Sequence, residues 1–224
     1  MFIGHYGPAF AAAAAPRPPA LGPALIAVQL VDYAWATFIL LGIERARLVE
    51  GITALSPLDL HFMPYTHSLP AALAWSLAAA LVYAALDRKA GLSAAGLIGA
   101  CVFSHWILDF LVHRPDLPLW GDSHKVGLGL WNYPTAGIAL ELLVLAFGMA
   151  LYIRATAPRN LWGRIAPWAL GGVLGLMAAF NWLGPPPADV RQVAVMALVA
   201  YTVVAALGFA TDRGRLTRAF AVAR

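Results

Sequence analysis

Three ionisable side chains, those of His105, Asp109 and His113, follow one another at intervals of four residues within or at the end of an apolar run. On an α-helix this spacing places all three on one face. An imidazole or a carboxylate in hydrocarbon is costly unless it is paired or binds a metal ion. Both groups are common zinc ligands and also suit iron or manganese. The spacing predicts a metal site, and a hydrogen-bonded pair that joins two helices is the alternative.

Three more residues are candidate ligands. His67 stands in Thr66-His67-Ser68 at the start of an apolar span, where the alternative is an interfacial bystander. Asp32 has no basic residue in its own span, so its carboxylate needs a cation, a proton or a hydrogen-bond donor. His5 lies between glycines that allow close approach to other helices. We expect the metal to be held by some members of the set His5, Asp32, His67, His105 and Asp109.

Two carboxylates could take a proton from a water molecule at this site, because a desolvated carboxylate is suited to that role. They are Glu141, within an apolar span, and Asp59, in a loop. Glu141 could equally be a metal ligand or a protonated structural residue. His113 and Arg114 are candidates for binding an anionic headgroup such as a phosphate. The alternative for them is salt bridges to loop acids.

The elements that must position these residues are membrane-spanning helices. Apolar residues make up 61% of the 224 and charged residues only 12%, and the mean hydropathy is +0.73. Each apolar run has about the 20 residues that a bilayer requires. The sequence predicts one all-α membrane domain, with a site within residues 1–145 and scaffold helices and a basic tail in 160–224. The six predicted spans are 21–43, 67–86, 92–112, 135–153, 165–183 and 190–210.

Residues 1–15 lack the basic start of a signal peptide and are too short to span a bilayer. We expect a retained half-length helix that packs into the bundle. With six spans, ten basic residues lie on one side and five on the other, which predicts that both termini are cytoplasmic.

Depth along the helices brings the candidate residues together. At about 1.5 Å per residue, His5, Asp32, His105 and Glu141 all lie roughly 16–20 Å from the inner ends of their segments. His67 lies roughly 28 Å from the inner end of its span, and Asp109 lies about 6 Å farther toward the outer side than His105. A site that opens toward the outer half of the membrane would contain the candidate residues at all of these depths.

Other chemistry has no support in the sequence. It contains no Gly-rich phosphate loop, no Gly-x-Ser-x-Gly motif and no paired cysteines, since Cys101 is the only cysteine. The net charge of +4 arises largely from arginines near the C-terminus. That pattern favours anchoring against anionic lipid, with no nucleic-acid partner.

The ordered motifs resemble a bacterial family of inner-membrane, metal-dependent hydrolase-like proteins named for a LexA-binding member. The resemblance rests on His5, Asp32, Thr66-His67-Ser68 and the His-x-x-x-Asp of His105 and Asp109, in this order over the first half of the chain. The family often has paired acids where this chain has only Asp32, and a His-Arg-Gly where this chain has Met63-Pro64-Tyr65. These departures favour one metal ion over two.

The sequence therefore predicts an inner-membrane hydrolase with one divalent metal, with zinc as first choice. The metal would activate water for attack on a lipid or lipid-linked ester or amide. The alternatives are a proton or metal-ion transporter or channel, and a non-catalytic subunit of a membrane complex. The oligomeric state cannot be predicted from the sequence.

Overall fold

The computed structural model describes residues 3–217 and is a predominantly helical bundle. Of the basic tail, Arg218 and Arg224 lie outside the described residues. A short 3₁₀ turn, Ile3–His5, leads into the first of eight helices in the described chain. They are α1 (Tyr6–Ala12), α2 (Leu21–Ala27), α3 (Leu30–Leu41), α4 (Leu69–Leu86), α5 (Gly91–Val112), α6 (Pro134–Ala155), α7 (Leu161–Leu183) and α8 (Val190–Gly214).

Five of these helices, α4 to α8, are long and apolar enough to cross a membrane. The pair α2 and α3 passes the same test as one span that is bent by 50° at the break between Ala27 and Leu30. The structure therefore has up to six spans, as predicted, and it departs from the prediction by breaking the first. The ends of the remaining spans agree with the predicted ones to within four residues, because each long apolar run ends at Pro, Gly or charged residues.

Three two-stranded antiparallel sheets lie outside the helices, and the sequence did not predict them. Two lie at the end of the bundle where α3 and α5 terminate, which we call the hairpin end: β1 (Arg45–Leu48) with β2 (Leu58–Phe62), and β3 (Leu117–Trp120) with β4 (Ser123–Val126). At the opposite end, β5 (Thr156–Pro158) pairs with β6 (Arg215–Thr217). The three sheets provide hydrogen-bond partners for backbone N–H and C=O groups that irregular loops would leave unpaired.

The half-helix α1 is packed inside the bundle, as predicted. Ile3, Tyr6 and Phe10 are fully buried. The helix lies so close to α6 that a β-carbon at Gly148 would come within 2.2 Å of the carbonyl oxygen of Gly7. Only glycine at this crossing allows the two backbones to touch, and this contact fixes the position of the segment that begins with His5.

Two apolar cores fill the bundle. One surrounds α1 and α2 and extends along α5 to α7, with Phe10, Leu25 and Val102 at its centre. The other lies toward the hairpin end and includes Trp35, Met63 and Trp131. The candidate site residues lie between these two cores.

Candidate metal centre

Six of the residues singled out in the sequence converge at the boundary between the two cores. All have buried side chains except Asp32, whose side chain is 17% exposed. They come from four separate segments of the chain and form one cluster, which we call the His–Asp cluster. Its members are His5, Asp32, His67, His105, Asp109 and His113.

Asp109 on α5 lies at the centre of the cluster. Its Oδ1 atom is 3.1 Å from Nε2 of His5 and 3.4 Å from Nε2 of His113. Its Oδ2 atom is 3.0 Å from Nε2 of His105 and 3.7 Å from Nε2 of His67. The four-residue spacing of His105, Asp109 and His113 produces this contact, as the helical pattern predicted. His113, which the spacing placed on the same helical face and which was a candidate for headgroup binding, is thus a member of the cluster.

Asp32 on α3 completes the cluster from the opposite side. Its Oδ1 atom is 3.3 Å from Nε2 of His67 and 3.4 Å from Nε2 of His105. The ligand atoms of Asp32, His67 and His105 all lie within 4.8 Å of one another, and so do those of His5, His105 and Asp109. Each of these two groups is compact enough to hold a metal ion.

The break between α2 and α3 orients His105. At this break the carbonyl oxygen of Val28 lies 2.7 Å from Nδ1 of His105. A carbonyl oxygen can only accept, so Nδ1 carries the proton and donates it. The Nε2 atom of His105 then points into the cluster, where it is buried and has no hydrogen-bond partner within the described chain.

A chain of three side chains orients His67. The hydroxyl of Thr66 donates to Oε2 of Glu44 at 2.7 Å, and Nδ1 of His67 lies 2.7 Å from the same hydroxyl oxygen. Since the hydroxyl proton is directed to Glu44, His67 must donate from Nδ1, and its Nε2 lone pair faces Asp32. Backbone N–H groups of Tyr65 and Thr66 also donate to Glu44. Burial raises the pKa of Glu44, and these hydrogen bonds act in the opposite direction.

His113 follows the same pattern, because its Nδ1 atom lies 2.9 Å from Oδ1 of Asp116. Three imidazoles of the cluster thus donate from Nδ1 to an acceptor outside it and present Nε2 to the carboxylates. Imidazoles that bind metal ions in proteins are held in this way. His67 itself lies before α4, whose N-cap is Ser68, so the predicted start of this span at His67 was two residues too early.

Two residues that the sequence analysis did not place in the site also position it. Glu44 was not considered, because it precedes Arg45 and Arg47 in a loop and resembles an ordinary surface acid. Tyr201 on α8 donates from its hydroxyl to Oδ2 of Asp32 at 2.8 Å. Tyr201 belongs to the segment 160–224, which was predicted as scaffold, and it contacts the cluster. The available signal was a phenol within an otherwise apolar span.

Glu141 on α6 lies beside the cluster and holds the N-terminal segment. Its Oε2 atom accepts hydrogen bonds from the backbone N–H groups of Ile3, at 2.9 Å, and Gly4, at 3.4 Å. These bonds place the backbone immediately before His5. The ring of His5 stacks on that of His105 with centroids 3.8 Å apart.

The loop residues of the predicted site form an ion-pair network that is joined to the cluster through Asp116, the partner of His113. The carboxylate of Asp59 is held by the guanidinium groups of Arg47 and Arg114, and the Nε atom of Arg114 is 3.3 Å from Asp116. The structure thus shows for Arg114 the salt bridges that were the alternative to headgroup binding. Asp59 lies in this network rather than in the cluster, so no contact supports its predicted role as a base.

A cavity of about 620 Å³ reaches the cluster from the side of α7 and α8. Its polar wall includes Asp32, His67, Asp109, His113 and Glu141. A molecule in this cavity could therefore contact the cluster directly. No family model matches the chain, and no curated protein or solved structure shows significant similarity to it.

Proposed function

We propose that the protein is an integral membrane hydrolase in which the His–Asp cluster binds one divalent metal ion. Asp32, His67 and His105 would hold the ion together with Oδ2 of Asp109, and a further position would be left for water. The observation that carries this proposal is the convergence of Nε2 atoms, each oriented by a donor bond from Nδ1, on two carboxylates.

The distances within the cluster fit a metal ion. Zinc binds nitrogen and oxygen ligands at about 2.0–2.2 Å, so neighbouring ligands of one ion lie about 3–3.5 Å apart. The distances from His67 and His105 to Oδ1 of Asp32 are 3.3 and 3.4 Å, and those to Oδ2 of Asp109 are 3.7 and 3.0 Å. Histidine and carboxylate ligands favour zinc, and iron or manganese would fit the same donors.

Charge balance supports the same conclusion. Nε2 of a neutral imidazole that donates from Nδ1 carries a lone pair, and here these lone pairs face the oxygens of Asp32 and Asp109. Lone pairs that face each other in a buried site are repulsive, so the cluster requires a cation or additional protons. A divalent ion neutralises two carboxylates and accepts the lone pairs at the same time.

The metal would supply an activated water nucleophile at neutral pH. The protein would orient the ligands through Val28, Thr66 and Tyr201, and exclude bulk water through the two apolar cores. Of the two predicted bases, Glu141 lines the cavity beside the cluster, whereas Asp59 is held by two arginines. We assign the role of proton acceptor to Glu141, and an ester or amide of a lipid or lipid-linked molecule as the substrate. This class agrees with the resemblance of the ordered motifs to the hydrolase-like family.

A proton or ion transporter is the weaker alternative. It requires a polar path from the cluster to the end formed by β5 and β6. Within the described residues, the core on that side of the cluster is built mainly from apolar side chains such as Phe10, Leu25 and Val102. These side chains offer a proton or an ion no hydrogen bonds, which counts against a continuous polar path on that side.

Elemental analysis of the detergent-purified protein tests the proposal. We expect about one zinc, iron or manganese per chain, and loss of this metal in His105→Ala and in Asp109→Asn. His124→Ala is the matched control, because His124 is exposed in the β3–β4 hairpin. Stoichiometric metal in both cluster variants, or no metal in the wild-type protein reconstituted with zinc, would contradict the proposal.

A hydrolysis screen then tests the reaction. Purified protein in lipid vesicles should release product from a lipid ester or amide only when the metal is present. Glu141→Gln should retain the metal and lose turnover. If a metal-loaded protein cleaves none of the lipid classes of the membrane that contains it, the hydrolase assignment is wrong, whereas the metal site stands.

A further inference from the structure

The cavity beside the cluster has its charged and imidazole groups at one end, and elsewhere in its wall polar side chains are few, Ser56 and Asn181 among them. At the cluster its wall consists of carboxylates and imidazoles. Away from the cluster it passes between α7 and α8, and most of the side chains that line it there are apolar: Leu176, Met177, Phe180, Val193, Met196 and Ala197. A ligand that fills it must carry one polar group and a longer apolar part.

The apolar end of the cavity reaches the exterior of the bundle. Leu176, Phe180 and Met196 line it and are also 74%, 55% and 41% exposed. All three lie on helices long and apolar enough to span a membrane. In a bilayer, this exposed surface would face lipid, so the cavity would open between α7 and α8 toward the hydrocarbon. Pro185, Pro186 and Pro187 of the loop after α7 also line it.

The interior end contains an unused hydrogen-bond donor. Trp35 lines the cavity and is only 5% exposed, and its Nε1 atom has no hydrogen-bond partner within the described chain. A buried indole N–H normally finds an acceptor. Nε1 has almost no accessible surface, so a carbonyl oxygen of a ligand in the cavity would satisfy it after a small shift of the Trp35 ring.

We propose that this cavity binds one acyl chain of a bilayer lipid, which enters sideways between α7 and α8 and carries its ester to the His–Asp cluster. The inference rests on the proposed function for the role of the bound lipid, although the binding itself does not require hydrolysis. The volume of about 620 Å³ lies within the range of about 300–1,000 Å³ that is typical of ligand pockets. The helices predicted as scaffold thus form the walls of the substrate site.

Labelling with a photoreactive lipid tests the inference. The probe is a phosphatidylglycerol with a diazirine on one acyl chain, diluted into vesicles that contain the purified protein. Lipid around the bundle labels its exposed surface in any case. Trp35 and Met63 are informative because both line the cavity and are only 5% and 1% exposed. We expect the probe to label them.

Variants that fill the cavity provide the comparison. Ala197 and Ala200 on α8 are partly buried and line the cavity. We expect Ala197→Trp and Ala200→Trp to reduce labelling of Trp35 and Met63 by about tenfold or more, which corresponds to ~1.4 kcal/mol of lost binding free energy. Ala78→Trp is the matched control, because Ala78 is exposed on α4 and the cavity wall does not include it; its labelling should equal that of wild type.

The outcomes separate this inference from the proposed function. Metal content is measured on the same samples, and elution volume and unfolding temperature verify that each variant is folded. Metal-loaded wild type without labelling of Trp35 or Met63 would overturn the acyl-chain site and leave the hydrolase proposal intact. Labelling that is equal in all variants would also overturn it. Labelling that both cavity variants block, in a protein that binds no metal, would support the acyl-chain site and contradict the hydrolase.

Discussion

The contact between α1 and α6 leads to a prediction about the metal centre from a position outside it. In Gly148→Ala the new methyl group would lie 2.2 Å from the carbonyl oxygen of Gly7, and 2.8 Å from its Cα and carbonyl carbon. Contacts of a β-carbon below 3.0 Å essentially never occur. Because the obstructing atoms are backbone, no side-chain rotation relieves the clash, and α1 must move away from α6 by about 1 Å.

This movement has a calculable cost. Alanine is favoured over glycine within a helix by about 1 kcal/mol, whereas overpacking costs about 1–3 kcal/mol. We expect a net loss of about 1 kcal/mol in the free energy of unfolding. His5 directly precedes α1, so its Nε2 atom, now 3.1 Å from Asp109, would shift with the helix. Metal sites tolerate changes of only about 0.2 Å in ligand position. If His5 contributes to binding, we expect affinity to fall at least about tenfold.

Thermal unfolding in detergent and titration of zinc against a chromophoric chelator measure the two effects. Gly172→Ala on α7 is the matched control, since nothing lies within 4 Å of its added carbon; we expect unchanged zinc affinity and a small gain in stability. If Gly148→Ala is as stable as Gly172→Ala, the close contact of α1 with α6 is refuted. If only stability falls and zinc affinity is unchanged, His5 does not contribute to metal binding.

Three further predictions concern residues that orient the cluster or stabilise the bundle. Thr66→Val removes the hydroxyl that orients His67, so zinc affinity should fall about 10–100-fold in the same titration. Thr66→Ser should restore most of the affinity. An unchanged affinity in Thr66→Val would exclude a role of Thr66 in orienting His67. Tyr201→Phe removes the donor to Asp32 and should weaken zinc binding about tenfold without a change in elution volume, and a variant that binds like wild type would contradict this. Arg215 is buried at the end opposite the hairpin end and donates to backbone oxygens and to a threonine hydroxyl. Arg215→Met should lower the free energy of unfolding by about 3 kcal/mol and leave zinc affinity unchanged. Loss of zinc binding in a folded variant would show that this end of the bundle and the His–Asp cluster are not independent.

The helical spans were predictable because a bilayer imposes length and apolarity on each of them, and a run of about 20 apolar residues has few other structures. The convergence of His105 and Asp109 was predictable for a related reason. Within a helix the distance between two residues follows from their separation along the chain, and intramembrane charges must meet a partner.

Contacts between segments were not predictable from the sequence. The residues at the break between α2 and α3 are Val28 and Gln29, and neither is a helix-breaking Pro or Gly. The break nevertheless provides the carbonyl oxygen that orients His105. The pairing of Glu44 with Thr66 joins residues 22 positions apart. Such contacts depend on how helices and loops pack, which local pattern does not encode. Tyr201 was visible as a phenol in an apolar span, but its partner in a distant helix was not.

The unfavourable contacts of buried polar atoms in the His–Asp cluster also explain why a purely structural role for this cluster is the weaker interpretation. A polar network that only joins helices is stabilising when every donor meets an acceptor, and a partly satisfied network is worse than an apolar core. Here Nε2 of His105 is buried without a hydrogen-bond partner in the described chain, although it lies 3.0 Å from an oxygen of Asp109. Its Nδ1 proton is already donated to Val28. Reversing the tautomer to satisfy Nε2 would leave the Val28 carbonyl facing a bare nitrogen. Either arrangement of a neutral ring leaves one unfavourable contact, which a second proton or a bound cation removes. A divalent ion also neutralises the carboxylates of Asp32 and Asp109 together.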